Sequence, residues 1–374
     1  MRVGIVLLSL GIGGAEKRFA TLFQFLVNRS PHQYYLVAPD GILRSLQQQG
    51  FLTDTALEIH RIDCGPWQHR LERLRWPLYS GFLAWRRGVN DALRRANTVC
   101  GTDVLHHVMP ISYFMASRAF REHSVVEAQA STQEWHIELM VRAAARRGAV
   151  VNCLSLPIHR SLEQRLTRDV ARRLHVSPGS LLECRDDVLP GPKERRVVFV
   201  GRLEAVKNPL LFVEAIARLK ARTRDFRASI LGDGRLRDRV DARIRELGLT
   251  DIVDRAFHHT PRQVLAEAAV FVSLQTYDNY PSQALMEAMV CRCATVATDV
   301  GATRRLVTPE TGLVVPFDSD AVADAIGVLL DDPARASQMG CAARELVRRE
   351  HSIERYAEHI ERLYEVASTT PESA

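Results

Sequence analysis

Two cations stand in the segment from Gly201 to Pro209, which follows an apolar run and precedes a helix-forming one. Arg202 offers a planar guanidinium with several donors, whereas Lys207 offers a mobile point charge. Two such cations beyond the carboxyl end of a buried strand suit the binding of a diphosphate. A pair of solvated surface charges is the alternative that composition leaves open.

A second segment with chemical potential spans residues 278–289 and follows another apolar run. Pro281 and Ser282 are typical of the first turn of a helix, whose free backbone N–H groups attract anions. Glu287 lies further along an otherwise apolar helix, where a carboxylate needs a partner. The vicinal hydroxyls of a ligand and a neighbouring arginine are both possible partners.

A glycine-rich loop at residues 11–16 joins the first apolar run to the first helical segment. Glycines let a backbone approach a ligand closely, and the helix start favours anions. The dinucleotide-binding pattern G-x-G-x-x-G is not met, because Glu16 occupies the place of its third glycine. The loop is therefore either a ligand-contacting loop of another kind or a tight turn.

Aromatic and basic residues alternate between Trp67 and Arg95. Such a segment can lie in a lipid headgroup layer, or it can stack with and neutralise nucleic acid. An amphipathic helix pair with a basic outer face is a third interpretation. Since no nucleic-acid-binding module accompanies the segment, we expect no nucleic-acid partner.

Short apolar runs alternate with helix-period segments along the whole chain, and Phe19, Leu22, Phe23 and Leu26 follow one such period. The runs are apolar throughout, as expected of parallel strands covered on both faces. This alternation predicts an α/β fold with doubly wound sheets. The predicted strands are 3–9, 34–38, 58–63, 103–108, 124–128, 149–155, 196–201, 228–232, 252–257, 270–274, 294–298 and 312–316.

Turn residues cluster between Ser177 and Pro192, and a new strand follows at once. We therefore predict two Rossmann-like parallel-sheet domains, residues 1–188 and 189–374, that face each other across a cleft. Ligands of such sheets bind beyond the carboxyl ends of the strands. The amphipathic last helix, residues 352–366, can pack back on the first domain.

Composition and charge narrow the class of protein. The chain is 46% hydrophobic and 25% charged, which is typical of a globular protein, and it has no apolar run of about 18 residues. Its seven cysteines form no C-x-x-C pair, so neither a disulfide framework nor a zinc site is predicted. Residues 1–190 hold 24 Lys and Arg against 17 Asp and Glu, whereas residues 191–374 hold 26 against 27, which favours an anionic partner for the first half. With no export signal recognised, a cytoplasmic location is expected.

Several of these segments, in this order and spacing, resemble the donor-binding domain of glycosyltransferase family 4, whose members are retaining enzymes of GT-B fold. The resemblance covers residues 196–316, and the first loop also resembles that of the family. The matching segments are VFVGRL at 198–203, KNP at 207–209, GDG at 232–234, 279–289 and TGLVVP at 311–316.

The resemblance implies roles for individual residues. Arg202 and Lys207 would bind the diphosphate of the donor and stabilise the charge that develops on the leaving group. Glu287 would bind the ribose, as the second glutamate of the family's E-x7-E element. Asn279 stands where the first glutamate is expected and would face the sugar, while Asp278 is the alternative if the loop is shifted.

Further donor contacts follow from the same resemblance. The backbone near Ser282 and Gln283 would contact phosphate, and His258 would lie near the base. The glycines expected along the donor are Gly13, Gly14, Gly232 and Gly234.

Two histidines end a predicted strand, His106 and His107. The family often has a His-x-His element there, close to the transferred sugar, so the resemblance implies a catalytic role for His106. A packed histidine at a strand end is the alternative. His107 should point to the opposite face of the sheet.

The resemblance implies a metal-independent, retaining glycosyltransferase that moves a sugar from a UDP- or GDP-linked donor to an acceptor hydroxyl. No other cofactor is expected. The acceptor would be a saccharide or a lipid-linked molecule of cell-surface polysaccharide, lipopolysaccharide or glycolipid synthesis, with the enzyme cytoplasmic or peripheral at the inner membrane face through the segment Trp67–Arg95. The alternatives are a GT-B epimerase or hydrolase acting on the nucleotide sugar alone, and a non-catalytic nucleotide-sugar-binding protein.

Overall fold

The computed structural model describes residues 1–9, 14–54, 56–63, 79–98, 101–129, 135–178, 181–182, 193–223, 225–256, 261–278 and 280–369. The chain divides into two compact units, Met1–Leu181 with Ile353–Ala374, and Leu182–Ser352. The boundary predicted between residues 188 and 189 lies outside the described residues. The final helix belongs to the first unit.

The first unit is an α/β unit built on seven strands, which pair in parallel throughout. The strands are β1 (Arg2–Val6), β2 (Gln33–Pro39), β3 (Ile59–Ile62), β4 (Val104–His107), β5 (Ser124–Ala128), β6 (Val150–Cys153) and β7 (Leu174–Val176). Their order in the sheet is β3-β2-β1-β4-β5-β6-β7.

Helices cover the sheet of the first unit. They are α1 (Gly14–Arg29), α2 (Asp40–Gln48), α3 (Tyr79–Asn97), α4 (Pro110–Met115), α5 (Trp135–Arg146), α6 (Leu156–Glu163), α7 (Arg168–Ala171) and, from the end of the chain, α14 (Ile353–Thr369). The apolar stripe predicted on α1 is confirmed, because Phe19, Leu22, Phe23 and Leu26 are all buried. They share one hydrophobic cluster with buried residues of α14.

The second unit contains six parallel strands. They are β8 (Glu194–Val200), β9 (Arg227–Leu231), β10 (Val253–Ala256), β11 (Ala268–Ser273), β12 (Ala294–Thr298) and β13 (Gly312–Val315). Their order is β10-β9-β8-β11-β12-β13. The helices are α8 (Pro209–Lys220), α9 (Arg237–Glu246), α10 (Arg262–Glu267), α11 (Gln283–Val290), α12 (Ser319–Asp331) and α13 (Pro333–Glu350).

The prediction of two doubly wound α/β sheets is confirmed, and a strand occurs within or across each of the twelve predicted segments. The sequence reading missed β7, which has only three residues, Leu174–Val176. Its three residues, Leu-His-Val, are too few to form an apolar run, and the central one is a histidine.

Candidate active site

The second unit has its topological switch point between β8 and β11. The chain proceeds from β8 to β9 and β10 on one side of the sheet, and then returns to β11 on the other side of β8. Ligands of doubly wound sheets bind where the strand order reverses, outside the carboxyl ends of the strands. The loops after β8 and β11 carry the two segments that the sequence singled out, so the topology brings them together.

Hydrogen bonds join these two loops. The backbone N–H of Thr276 donates to the carbonyl of Val206 at 3.0 Å. The neighbouring residues of the two loops also bond, since Lys207 Nζ donates to Gln275 Oε1 at 3.0 Å. The ammonium of Lys207 is thereby held at the switch point rather than extended into solvent.

The two predicted cations act on each other electrostatically. Lys207 is partly buried and ends the 3₁₀ turn Ala205–Lys207, whereas Arg202 is exposed. Burial, and after it the neighbouring charge of Arg202, together lower the pKa of Lys207 to about 8. An anion at this place would favour the charged ammonium, because an opposite charge offsets both effects.

The glycines after β9 serve close packing between loops. A Cβ atom on Gly232 would lie 1.9 Å from the carbonyl oxygen of Gly201, and one on Gly234 would lie 2.7 Å from that of Leu203. Leu203 N–H also donates to the carbonyl of Asp233 at 2.9 Å. These glycines thus fix the loop that carries Arg202, and their contact with a donor stays a prediction.

The carboxylate of Asp278 binds backbone N–H groups of two loops. Its Oδ1 accepts hydrogen bonds from the N–H groups of Tyr280, at 3.1 Å, and Ala302, at 3.3 Å. Gly301, at φ +51°, packs so closely that an added Cβ would lie 2.1 Å from Asp278 Cγ. Asp278 therefore ties the loop after β11 to the loop after β12.

Three further predicted donor residues lie in the first turns of α11. Ser282 is the N-cap residue, is buried, and its Oγ accepts a hydrogen bond from Gln275 Nε2 at 3.0 Å. Gln283 Nε2 donates to Glu287 Oε1 at 3.1 Å, across one helical turn. Glu287 is partly buried, and this bond gives its carboxylate a partner on its own helix.

Gln275 is a residue that the sequence reading missed. Only 7% of it is exposed, and its side chain bonds to both Lys207 and Ser282. A polar residue two positions after the buried strand β11 was the available signal, because a buried amide must find hydrogen-bond partners.

In the first unit, His106 has no exposed surface. Its Nδ1 lies 2.8 Å from the hydroxyl of Tyr364, and its Nε2 lies 2.9 Å from Glu127 Oε1. Both ring nitrogens thus have protein partners, and the arrangement matches the packed histidine that the sequence left open. His107 bonds to Ser112 instead, and burial, with His106 as the second cause, lowers its pKa to about 3.

Glu127 is the centre of a buried polar cluster. Its Oε1 accepts hydrogen bonds from His106, from Asn152 Nδ2 at 2.9 Å and from the hydroxyl of Tyr356 at 3.0 Å. Asn152 Oδ1 lies 3.0 Å from His359 Nε2. The cluster joins β4, β5 and β6 to α14, and the sequence reading missed it because it treated these strands as wholly apolar.

The described part of the segment Trp67–Arg95 lies in α3. Trp85 is buried in the first unit, whereas Arg86, Arg87, Arg94 and Arg95 are exposed. This is the arrangement of an amphipathic helix with a basic outer face. Within the described residues, no helix offers an apolar stretch of the length that crosses a bilayer.

Several predicted positions lie outside the described residues. They are Gly13, His258, Asn279 and the part of the aromatic and basic segment at 67–78. Gly14 is described and forms the exposed start of α1.

Comparison with known proteins bears on the second unit. The family of glycosyl transferases group 1 matches residues 183–346. This match covers nearly the whole of the second unit. Arg202, Lys207, Gln275, Ser282 and Glu287 all lie within the matched stretch.

Curated relatives match the chain over part of their length. An N-acetylgalactosamine-N,N'-diacetylbacillosaminyl-diphospho-undecaprenol 4-alpha-N-acetylgalactosaminyltransferase of Campylobacter jejuni is 33% identical over 144 residues, which are 37% of this chain and 38% of the relative. The alpha-D-kanosaminyltransferase of Streptomyces kanamyceticus is 31% identical over 173 residues, 45% of each chain. The chain thus spans less than half the length of both relatives.

A solved structure extends the likeness in fold to nearly the whole chain. Anabaena Alr3699/HepE, in complex with UDP and glucose, has a TM-score of 0.74 at 17% identity, covering 98% of this chain and 100% of its own. The chain therefore has the GT-B fold.

Proposed function

We propose that this chain is a glycosyltransferase that moves a sugar from a nucleoside-diphosphate sugar to an acceptor hydroxyl. One observation carries the proposal. At the switch point of the unit that the group 1 glycosyl transferase family matches, the ammonium of Lys207 and the N-cap of α11 at Ser282 are held in one hydrogen-bonded frame. A cation and a helix N-terminus side by side are a site for a diphosphate.

In this proposal the bond between the anomeric carbon and the diphosphate breaks, and the nucleoside diphosphate leaves with the electron pair. The acceptor oxygen bonds to the anomeric carbon and gives its proton to the departing diphosphate. Arg202, Lys207 and the free N–H groups of α11 stabilise the charge on the departing diphosphate. We further propose that this stabilisation needs no metal ion, so that turnover should persist in the presence of EDTA.

The remaining donor contacts are part of the same proposal. Glu287 binds the ribose hydroxyls, and Asn279 binds hydroxyls of the sugar. The transfer retains the anomeric configuration. Asp278 is assigned to the loop rather than to the donor, because its Oδ1 already accepts two backbone N–H groups. His106 is assigned to the first unit's packing, because its ring has no exposed surface.

For the acceptor we propose a saccharide carried on a lipid. Support comes from the printed name of the Campylobacter relative, which contains diphospho-undecaprenol, and from the exposed arginines of α3. Peripheral contact of α3 with an anionic membrane is the corresponding proposal for location. Binding to anionic vesicles should then weaken as salt rises, because exposed charges are screened; binding that is absent at low salt would reject this part.

The first experiment is thermal stabilisation by UDP, GDP, ADP and TDP without added metal. We expect one nucleotide to raise the melting temperature, and we expect this shift to be lost in Arg202→Ala and in Lys207→Ala. Arg218→Ala is the matched control, since Arg218 is exposed on α8 with an ion pair of 3.6 Å to Asp320. The control should keep the shift.

Turnover is then measured with the sugar form of the nucleotide that binds. Loss of most activity in both site variants, with the control near wild type, supports the diphosphate role. Release of free sugar or isomerisation without any acceptor would instead indicate a hydrolase or an epimerase. Near-normal rates in both site variants would refute the proposed roles of Arg202 and Lys207.

A further inference from the structure

Gln275 occupies a central place in the site, yet none of the donor contacts proposed above involves it. It lies two residues after the end of β11, and only 7% of it is exposed. Burying a primary amide is unfavourable unless its oxygen and nitrogen both find partners.

Both ends of the Gln275 amide are engaged, and with determined polarity. Oε1 lies 3.0 Å from Lys207 Nζ, while Nε2 lies 3.0 Å from Ser282 Oγ and 3.4 Å from Ser273 Oγ. An ammonium can only donate, so the atom facing Lys207 must be the amide oxygen. The amide nitrogen therefore donates to Ser282, whose hydroxyl hydrogen is left to point elsewhere.

The backbone of Gln275 is fixed as well. Its carbonyl accepts a hydrogen bond of 2.7 Å from Thr298 Oγ1, at the end of β12. The next residue, Thr276, bonds to the loop after β8 through its N–H. With the main chain held from two sides, the amide group has little freedom to move away from Lys207 and Ser282.

We propose that Gln275 is the positioning residue of the donor site, which holds the Lys207 ammonium and the Ser282 hydroxyl in the orientation that receives the donor's diphosphate. This inference rests on the proposed function. One of the three N–H bonds of Lys207 is directed at Gln275, which leaves two for phosphate oxygens. A lysine side chain is otherwise flexible, and fixing it before the ligand arrives removes an entropic cost from binding.

Among the described residues, Arg202 is the charged group that lowers the pKa of Lys207. Gln275 and Ser282, on the facing loop, are uncharged. An uncharged acceptor stabilises the ammonium without neutralising it. The site therefore keeps its positive charge for an anionic ligand.

Two substitutions test the proposal in opposite directions. Gln275→Met keeps the approximate size but removes the acceptor, so the pKa of Lys207 should fall. Gln275→Glu places a carboxylate against the ammonium, so that pKa should rise. The same two substitutions at Gln338, which is exposed on α13, are the matched controls.

The first readout needs no nucleotide. The pH dependence of reductive methylation of Lys207, followed by peptide mass spectrometry, gives its pKa in each variant. We expect the midpoint to move below that of wild type in Gln275→Met and above it in Gln275→Glu, with no change in either Gln338 variant. An unchanged midpoint in both folded Gln275 variants would overturn the inference.

The second readout is the affinity for UDP, measured by calorimetry between pH 6.5 and 9.5. Wild-type affinity should weaken as Lys207 loses its proton, and in Gln275→Met the weakening should begin at lower pH. At pH 7 we expect a loss of about tenfold in Gln275→Met, since a hydrogen bond to a charged group is removed. Gln275→Glu should also bind more weakly, because its carboxylate repels the diphosphate.

The two readouts separate the inference from the function on which it rests. If wild type binds no nucleotide while the methylation midpoints shift as expected, the proposed function is wrong and the control of Lys207 by Gln275 stands. If UDP binds equally to wild type and to both Gln275 variants, the positioning role is refuted and the donor function survives.

Discussion

Replacing Glu127 by Gln tests whether one buried carboxylate fastens α14 to the sheet of the first unit. Glu127 is fully buried, and its Oε1 accepts hydrogen bonds from His106, Asn152 and Tyr356. Burial raises the pKa of Tyr356 well above its usual value, so the phenol remains protonated and able to donate. All three partners thus donate to the same oxygen.

The expected magnitude follows from these partners. If the glutamine keeps its oxygen at the place of Oε1, its NH₂ group takes the place of Oε2. Oε2 has no hydrogen-bond partner among the described residues, so the NH₂ group would be buried without an acceptor. A flipped amide instead leaves its three present donors without an acceptor. Each buried donor left unpaired costs about 1–3 kcal/mol. Relief of the carboxylate's desolvation offsets part of this cost, so we expect a net loss of about 1–3 kcal/mol.

Tryptophan fluorescence in urea measures this loss selectively, because all four tryptophans lie within the first 135 residues and so in the first unit. Hydrogen exchange of residues 353–369 then shows whether α14 is the element released. A double-mutant cycle with Tyr356→Phe isolates the shared bond, and we expect a coupling energy of about 1 kcal/mol.

Glu361→Gln is the matched control on α14 itself. Its carboxylate is only partly buried, although it accepts a hydrogen bond of 2.9 Å from Tyr34. We expect it to cost less than about 1 kcal/mol. The fastening role of Glu127 is refuted if Glu127→Gln is as stable as wild type, if it costs no more than the control, or if its effect adds to that of Tyr356→Phe without coupling.

Three further predictions concern the second unit. Lys193→Met should lower the free energy of unfolding of this unit, measured in urea, by about 2 kcal/mol, because the ammonium donates to three backbone carbonyls at the ends of α10 and α11. An unchanged free energy of unfolding would contradict this. Gly232→Ala should cost about 1–3 kcal/mol, because the added Cβ meets the carbonyl of Gly201, whereas the control Gly327→Ala, with 3.6 Å to its nearest neighbour, should not destabilise. Without ligand, the free energy of unfolding should rise from pH 8 towards 10.5. Folded Lys207, with a pKa of about 8, releases its proton in this range, whereas the unfolded chain still binds it. Lys207→Met should remove this part of the rise, and identical pH profiles of wild type and variant in urea would argue against it.

The sequence predicted the fold well because its signals are local. Apolar runs mark most of the parallel strands, and a strand lies at each of the twelve predicted segments, including β3 and β10, which also hold polar residues. The stripe of α1 was equally visible, since a helix covering a sheet must bury one face. Only β7, at three residues, was too short to show a pattern.

Within the proposed donor site, the sequence indicated the chemistry of single residues but not their partners. Arg202, Lys207 and Glu287 were recognisable by type and spacing. Asp278 was weighed as a ligand for the donor, whereas in the structure it bonds the backbone of two loops. Whether a carboxylate faces a ligand or its own backbone depends on how distant loops meet, which no local pattern encodes.

The sequence by itself thus determined the two parallel sheets, the order of their elements and the cations near the switch point, because strand burial and turn chemistry act over a few residues. Only the tertiary structure decided that Gln275 joins Lys207 to Ser282, and that Glu127 gathers donors from β4, β6 and α14. The contact of Gln275 with Lys207 and that of Glu127 with Tyr356 link residues 68 and 229 positions apart in the chain. A buried polar group takes whichever partner the packing of the whole unit brings within reach, and for these residues that partner is remote in sequence.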